Sequence, residues 1–183
     1  DLGPVPERAI RFAAEGVAEP TTIAERLLAA AIKLGANVAR GFQVKGFEER
    51  GGQIKGVRTQ HGVFHADQVL VAAGTGTEAL LSGLQIKLPM LHRPALVITT
   101  QRADLKLRHV LATDFGEVRQ LPTGALMTPA SIGHQGDSSE DLADHPEVAA
   151  DKAMARLRAL FPKAMLGLAT SQLAHRPIPQ DGF

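Results

Sequence analysis

The clearest candidates for a ligand site are two glycines that follow a short apolar run. The run is 69–73 (VLVAA), and Gly74 and Gly76 come directly after it, before helix-like sequence that opens at Thr77. Glycine has no Cβ, so its backbone can approach a ligand closely, and a helix N-terminus presents N–H groups to an anion. The pattern predicts a ligand site where a strand buried on both faces ends.

One ligand that this spacing could hold is a nicotinamide dinucleotide. Gly74-x-Gly76-x-x-Ala79 matches the fingerprint G-x-G-x-x-G/A. The fingerprint also expects an acidic residue about 20 positions further on, which holds a ribose hydroxyl. Position 94 is a proline, and the next acid along the chain is Asp104. An NAD-binding domain is therefore a less favoured alternative.

Two other groups of residues have types that suit a metal or a catalytic triad. His61 and His65 are four residues apart, a spacing that suits a metal only on a helix, and their segment is typical of a β-turn. The chain has no cysteine, so no metal site is predicted. Ser131, His134 and Asp137 lie in polar loop sequence, and the serine lacks a G-x-S-x-G elbow. No catalytic side chain is predicted.

Composition excludes several classes of protein. The 183 residues are 44% hydrophobic and 21% charged, with a net charge of +1 and both signs mixed along the chain. This balance disfavours nucleic acid or an anionic membrane surface as a partner, and the lack of Tyr and Trp disfavours base stacking. No apolar run approaches the roughly 20 residues of a transmembrane helix, and no signal-peptide pattern is present.

The first half of the chain has the patterns of a helix and of short strands joined by turns. Thr22-x-x-Glu25 is a capping box that predicts a helix over 22–34, with Gly35 as its C-terminal stop. The helix is expected to pack through its face of Ile23, Leu27, Ala31 and Leu34. Short runs separated by glycine turns predict strands at 9–14 and 37–40 and an antiparallel meander at 42–49, 53–59 and 63–66.

The second half is predicted to be a sheet followed by a helix and a last strand. Strands are expected at 93–100, 110–113, 117–121 and 125–129, with a turn at 122–124. Residues 133–147 have loop-like composition. Asp144 and Glu147 are candidate caps for a helix that carries Val148, Met154, Leu157 and Phe161 and ends at Pro162. A final strand is predicted over 165–174.

The segment Ala66-Asp67-x-Val69-Leu70-x-Ala72-Ala73-Gly74, placed after a β-meander, resembles the FAD-dependent D-amino acid oxidase and glycine oxidase (DAO) superfamily. This superfamily also includes sarcosine oxidases and amino-acid dehydrogenases. The resemblance covers most of the chain but only the middle of the family's fold. It implies that the N-terminal G-x-G-x-x-G and the C-terminal segment that closes over the flavin lie outside this sequence.

The fold class that follows from this resemblance is α/β to α+β. Helix, meander and parallel strand form part of a glutathione-reductase-type FAD domain, assigned to residues 19–84 and 176–183. A mostly antiparallel substrate-binding sheet with helices is assigned to residues 1–18 and 85–175.

The resemblance also implies a substrate-binding residue, Arg176. The family has a segment like x-Arg-Pro-x-x-x-Asp-Gly-x-Pro after a strand, and this chain has His175-Arg176-Pro177-Ile178-Pro179-Gln180-Asp181-Gly182-Phe183. The arginine would face the flavin and hold the substrate carboxylate, which suits a planar guanidinium that can bind a carboxylate bidentately. Pro177 restricts Arg176 to extended conformations, which would help to aim the side chain.

Four further residues are implied as contacts of the cofactor. Val44 opens the meander, where the family places backbone groups against the adenine edge. Ala73, Gly74 and Gly76 match the family's Ala/Ser-Gly-x-Trp turn beside the cofactor, with glycine in place of the aromatic residue.

The implied function is oxidation of an amino acid or secondary amine by hydride transfer to FAD, giving an imine. FAD is expected in the full-length protein, whereas this 183-residue chain alone is expected neither to retain FAD nor to turn over. The expected partner is a small amino acid or amine, and the expected location is the cytoplasm, or the membrane periphery for a dehydrogenase. The alternative from another class is a non-catalytic protein-binding module.

Overall fold

A computed structural model describes residues 2–3, 6–130, 142 and 144–180. The helices are α1 (Pro20–Lys33), α2 (Thr77–Ser82) and α3 (Pro146–Leu160). The strands are β1 (Val44–Arg50), β2 (Gln53–Thr59), β3 (Gly62–His65), β4 (Met90–Arg102), β5 (Leu111–Thr113), β6 (Gly116–Gln120), β7 (Ala125–Pro129) and β8 (Leu168–Pro179). The chain divides into unit 1 (Asp1–Val17 and His92–Arg176) and unit 2 (Ala18–Leu91 and Pro177–Phe183).

Helix α1 of unit 2 confirms the predicted helix and its stop but not the capping box. The helix begins at Pro20, before Thr22, and no side chain caps it. Proline suits the first helical position because it has no N–H to leave unpaired and its φ is already helical. At the other end the Gly35 N–H donates to Ile32 O and the Ala36 N–H to Ala31 O, both at 3.0 Å. These two bonds form the Schellman motif that ends a helix at glycine.

The predicted packing face of α1 is wrong. No residue of the helix is buried, and the side chains of Leu27 and Leu34 are 66% and 90% exposed. Helical spacing identifies residues that share a face, but burial needs a second layer against that face. Within the described part of unit 2, no such layer buries it.

The meander of unit 2 is confirmed as a three-stranded antiparallel sheet in the order β1-β2-β3. Phe47, Val57 and Phe64 lie opposite one another across the three strands, and Phe47 is buried. At Gly56 a Cβ would collide with the Phe64 carbonyl oxygen, so only glycine fits this close approach of two strands. The strand predicted over 37–40 does not form.

The predicted parallel strand over 69–73 is wrong. This run has no strand structure, and Leu70 within it is 92% exposed. A parallel strand buried on both faces needs neighbouring strands for its hydrogen bonds and covering layers for its side chains. None of the strands in the two described sheets pairs with the run. The helix predicted to open at Thr77 is confirmed as α2.

The second sheet has the order β5-β6-β7-β4-β8. Its pairs β5/β6, β6/β7 and β4/β7 are antiparallel, which confirms the predicted antiparallel sheet with small shifts of strand ends. The strand predicted over 9–14 does not form. The last strand runs from Leu168 to Pro179, so Arg176 and Pro177 lie within β8 rather than after it. An edge strand tolerates proline because its outer N–H groups have no ladder partner.

The core of unit 1 lies between its sheet and α3. Buried residues of α3, including Met154 and Leu157, pack with Leu96, Ile98 and Leu126 of β4 and β7. The predicted helix is confirmed, ending at Leu160, but Asp144 does not cap it. The Asp144 carboxylate instead pairs with Lys152 Nζ at 2.9 Å. Among the residues that the structure describes, no helix is long and apolar enough to cross a membrane.

Candidate functional site

The turn at Gly74 in unit 2 has an open backbone surface. Gly74 has a φ of 57°, in the left-handed region where a residue with a Cβ is disfavoured. A Cβ built at this position would meet nothing within 4 Å, so the space beside the backbone is empty. The backbone conformation therefore favours glycine here, and the open space leaves room for a ligand.

The neighbours of Gly74 form a short 3-10 turn. The Gly76 N–H donates to the Ala73 carbonyl oxygen at 3.0 Å, and both residues are exposed. Gly76 has a φ of −84°, which any residue adopts, so its backbone makes no demand for glycine. The turn leads into α2, whose six residues begin at Thr77.

Val44 is the first residue of β1, at the edge of the meander. It is half-buried, and its Cα lies opposite that of Thr59. The preceding backbone N–H, of Gln43, donates to Gln60 Oε1 at 2.8 Å, so a glutamine side chain anchors the start of this strand. Among the described residues no hydrogen bond joins Val44 to the turn at 73–76.

Arg176 lies in unit 1, near the end of β8. Its side chain is exposed, and within the described residues no hydrogen bond or ion pair holds its guanidinium. Pro177 follows it within the strand, so the predicted restriction to an extended backbone is present. The following segment that includes Asp181 and Gly182 lies outside the described residues.

A second arginine, Arg93, was not predicted from the sequence as a candidate residue. It is 1% exposed and lies on β4, the strand beside β8. The signal that could have found it is a repeated tripeptide, because His92-Arg93-Pro94 has the same residues as His175-Arg176-Pro177. A tripeptide repeat gives no spatial information by itself, and only the sheet topology shows that the strands carrying the two copies are neighbours.

The two histidines considered as metal ligands have different surroundings. The His61 ring lies 4.5 Å from the Phe42 ring, centroid to centroid, at the turn before β3. His65 lines a shallow depression of about 430 Å³ together with Arg50, Lys55 and Asp67. The described residues contain no group of three potential metal ligands. Ser131, His134 and Asp137 lie outside the described residues.

Arg156 of α3 joins the helix to the end of β7. Its Nη2 donates to the Ala130 carbonyl oxygen at 2.7 Å, and its guanidinium carbon lies 5.4 Å from the centre of the Phe115 ring. Burial lowers the pKa of Arg156, while the charges of Asp114 and Asp144 oppose this change. The arrangement is a structural link within unit 1.

Comparison with known proteins relates the whole chain to one family. The family model described as FAD dependent oxidoreductase (DAO) matches residues 2–183. A D-amino acid dehydrogenase of Rhodopseudomonas palustris is 29% identical over 161 residues, which are 86% of this chain and 37% of that protein. A D-amino acid dehydrogenase of Rhizobium rhizogenes is 39% identical over 64 residues, 35% of this chain and 15% of that protein. This chain thus spans about two fifths, or less, of these relatives.

Solved structures share the fold at lower identity. An L-proline dehydrogenase from P. horikoshii matches 90% of this chain and 45% of its own, with a TM-score of 0.70 and 20% identity. A glycine oxidase from Bacillus cereus matches 87% of this chain and 44% of its own, with a TM-score of 0.67 and 15% identity. These likenesses confirm a mixed fold with antiparallel sheets, as found in FAD-dependent oxidoreductases.

Proposed function

This chain belongs to the FAD dependent oxidoreductase family, and from that premise we propose that the full-length protein oxidises an amino acid or a secondary amine to an imine. The observation that carries the proposal is the family match over residues 2–183. The D-amino acid dehydrogenases among its relatives support an amino acid as the substrate class. When bound, FAD supplies the hydride acceptor for this chemistry.

The cofactor would lie against the turn that contains Ala73, Gly74 and Gly76, and against the backbone of Val44. The open space beside Gly74 supports this assignment, because a ligand could contact bare main chain there. The glycine at position 76, where the family has an aromatic residue, leaves the contact to backbone groups. These four residues bind and orient the cofactor in the proposal, and none of them takes part in proton transfer.

Arg176 would hold the substrate carboxylate. An exposed guanidinium with no hydrogen bond or ion pair in the described chain can offer its fork of N–H donors to a carboxylate. The substrate-binding domain would comprise residues 1–18 and 85–175, and the FAD-binding domain 19–84 and 176–183. The division of the structure at 17/18, 91/92 and 176/177 lies close to these boundaries and supports them.

The test is flavin analysis and turnover of the full-length protein. We expect a flavin spectrum, bleaching of that spectrum under anaerobic conditions by an amino acid or secondary amine, and formation of a keto acid or aldehyde and ammonia or amine after the imine hydrolyses. The 183-residue chain alone is expected to purify colourless. A full-length protein that binds no flavin, or a flavin that no amine reduces, would contradict the proposal.

The role of Arg176 has its own test. Lysine keeps the charge but loses the planar fork, so Arg176→Lys is expected to raise KM about tenfold or more for amino acids. Arg102→Lys is the matched control, since Arg102 is also an exposed arginine on the same sheet. An unchanged KM for every amino acid tested in Arg176→Lys would show that this residue does not hold the carboxylate.

A further inference from the structure

One end of the meander in unit 2 has a depression that is lined mainly by charged and polar side chains. Its volume is about 430 Å³, and its lining residues are Arg50, Lys55, His65, Ala66 and Asp67. Arg50 is the last residue of β1 and His65 the last of β3, while Lys55 is the third residue of β2. Three strands therefore bring ionisable side chains to one place on the surface.

A β-bulge presents Lys55 to this depression. The register between β1 and β2 shifts after Glu48, and Lys55 is left without a Cα partner on β1. A bulge changes the direction of a side chain relative to the regular alternation of a strand. On the other side of β2, the Lys55 carbonyl oxygen accepts a hydrogen bond from the Ala66 N–H at 3.0 Å. The backbone of Lys55 is thus fixed while its side chain stays exposed.

The charged and polar groups of the depression are available to a ligand. Among the described residues, no hydrogen bond or ion pair holds the side chains of Lys55, His65 and Asp67. Arg50 is oriented by one bond, from its Nε to Glu48 Oε1 at 3.2 Å, which leaves its two terminal nitrogens for other acceptors. Because Glu48 offsets part of the charge of Arg50, we expect Lys55 to contribute more to the binding of an anion.

The lining combines donors for an anion with one acceptor for a hydroxyl group. Guanidinium and ammonium groups donate charge-assisted hydrogen bonds to phosphate oxygens, and the imidazole of His65 has an N–H donor even when it is neutral. The carboxylate of Asp67 repels a bare phosphate but accepts a hydrogen bond from a hydroxyl. The set therefore fits a ligand that has both a phosphate and hydroxyl groups.

We propose that this depression binds a phosphate monoester that carries hydroxyl groups. Arg50, Lys55 and His65 hold the phosphate, and Asp67 accepts a hydrogen bond from a hydroxyl. The site is not the cofactor contact at Val44, because Val44 begins β1 and Arg50 ends it, about 20 Å further along the strand. The inference goes beyond the proposed function and does not depend on it.

Two sources have this chemistry, a free sugar phosphate and the headgroup of an inositol phospholipid. The strand that ends at Arg50 also carries the acidic residues Glu48 and Glu49. These carboxylates oppose contact with an anionic membrane surface, whereas a small ester contacts only the depression. The charges thus favour the free sugar phosphate, and a vesicle arm of the experiment tests the other source.

The experiment titrates ribose 5-phosphate into the full-length holoprotein by calorimetry. A dissociation constant of about 1 mM is expected, because exposed charges bind weakly. Lys55→Gln should raise this constant about fivefold and Arg50→Gln about threefold. Lys45→Gln is the matched control, since it removes an exposed lysine near the other end of β1. It should stay within about 1.5-fold of wild type.

Asp67→Ala tests the hydroxyl contact separately. Removing the carboxylate takes away a repulsion for inorganic phosphate and a hydrogen-bond acceptor for the ribose. Ribose 5-phosphate should bind wild type more tightly than inorganic phosphate does, and this preference should fall at least threefold, by about that factor or more, in Asp67→Ala. An unchanged preference would overturn the role of Asp67 and with it the class of ligand.

The remaining outcomes also decide the inference. No binding of ribose 5-phosphate at about 10 mM, or equal weakening in Lys55→Gln and Lys45→Gln, would overturn the site and leave a solvated surface. A change in the flavin spectrum on titration would place the ligand at the cofactor and would also overturn it. Binding only to vesicles with phosphatidylinositol 4-phosphate, lost in Lys55→Gln, would support the site with the lipid headgroup as its source.

Discussion

Unit 1 and unit 2 differ in what holds their elements together. In unit 1 a continuous cluster of buried residues joins β4, β6, β7 and α3. In the described part of unit 2, Phe47 is the one hydrophobic side chain in the buried class, and α1 buries none. Unit 2 therefore depends on local hydrogen bonds, in the meander and at the end of α1, where unit 1 depends on packing.

The difference matters for the two kinds of candidate site. Arg176 lies on β8, at the edge of the sheet of unit 1, and the neighbouring strand β4 contributes Leu96 and Ile98 to the packed core. Val44 and the turn at Gly74 lie in unit 2 and offer backbone groups at the surface. A backbone contact needs the correct φ and ψ more than a particular side chain, so a local turn suffices to present it.

The test with the largest expected effect on stability is the truncation of one leucine side chain in each unit. Leu157→Ala, at a fully buried position of α3, is expected to cost about 2–5 kcal/mol of unfolding free energy, because it leaves a cavity. Leu27→Ala, at a 66% exposed position of α1, is expected to cost no more than about 0.5 kcal/mol. Urea unfolding of the chain measures both. Similar costs would mean that α1 is packed after all.

A second test concerns the hydrogen-bonded frame of the meander. Gly56→Ala places a Cβ against the Phe64 carbonyl oxygen, and separating these strands is expected to cost about 1–3 kcal/mol. Amide hydrogen exchange should report lost protection in β2 and β3 and unchanged protection in β7. Gly83→Ala is the control, since Gly83 has a φ of −62° and space for a Cβ. Loss of protection in β7 as well would mean that the effect of the substitution is not confined to the meander.

A third test compares two glycines of the same turn. Gly74→Ala forces an alanine into a φ of 57° and is expected to cost about 1 kcal/mol, whereas Gly76→Ala, at a φ of −84°, carries no such strain. In the full-length protein Gly74→Ala should weaken FAD binding more than Gly76→Ala. The dissociation constant of FAD, followed by flavin fluorescence, measures this. Equal affinities in the two variants would remove the special role of Gly74.

The smallest expected effect is that of a surface ion pair in unit 1. Lys152→Ala removes the ion pair with Asp144; the Lys152 side chain is 54% exposed and the Asp144 side chain 38%. The substitution should lower the free energy of unfolding by about 0.2–1 kcal/mol, and by less at high salt. Lys87→Ala, at an exposed position of unit 2, is the control. The urea unfolding midpoints of both variants, at low and at high salt, measure this cost. A cost as large as that of Leu157→Ala would mean that charge rather than packing holds unit 1.

Local sequence patterns were sufficient to predict most helices and strands and the C-terminal end of α1. Strand β7 and the meander followed from β-rich runs between glycine turns, and Gly35 stops α1 as expected, because these signals act within a few residues. The run at 69–73 failed for the opposite reason. Its composition suits a buried parallel strand, but partners elsewhere in the fold decide whether such a run pairs.

The amino-acid sequence by itself was sufficient to predict the family, the antiparallel sheets and the candidate site residues Gly74 and Arg176. These predictions depend on residue type and short spacing. Only the tertiary structure decided which faces are buried and that β4 and β8 are neighbours in the sheet. Pairing between β4 and β8 joins Thr99 and Thr170, which are 71 residues apart. Such a contact depends on strand register, which is set by the packing of the whole sheet rather than by neighbouring residues.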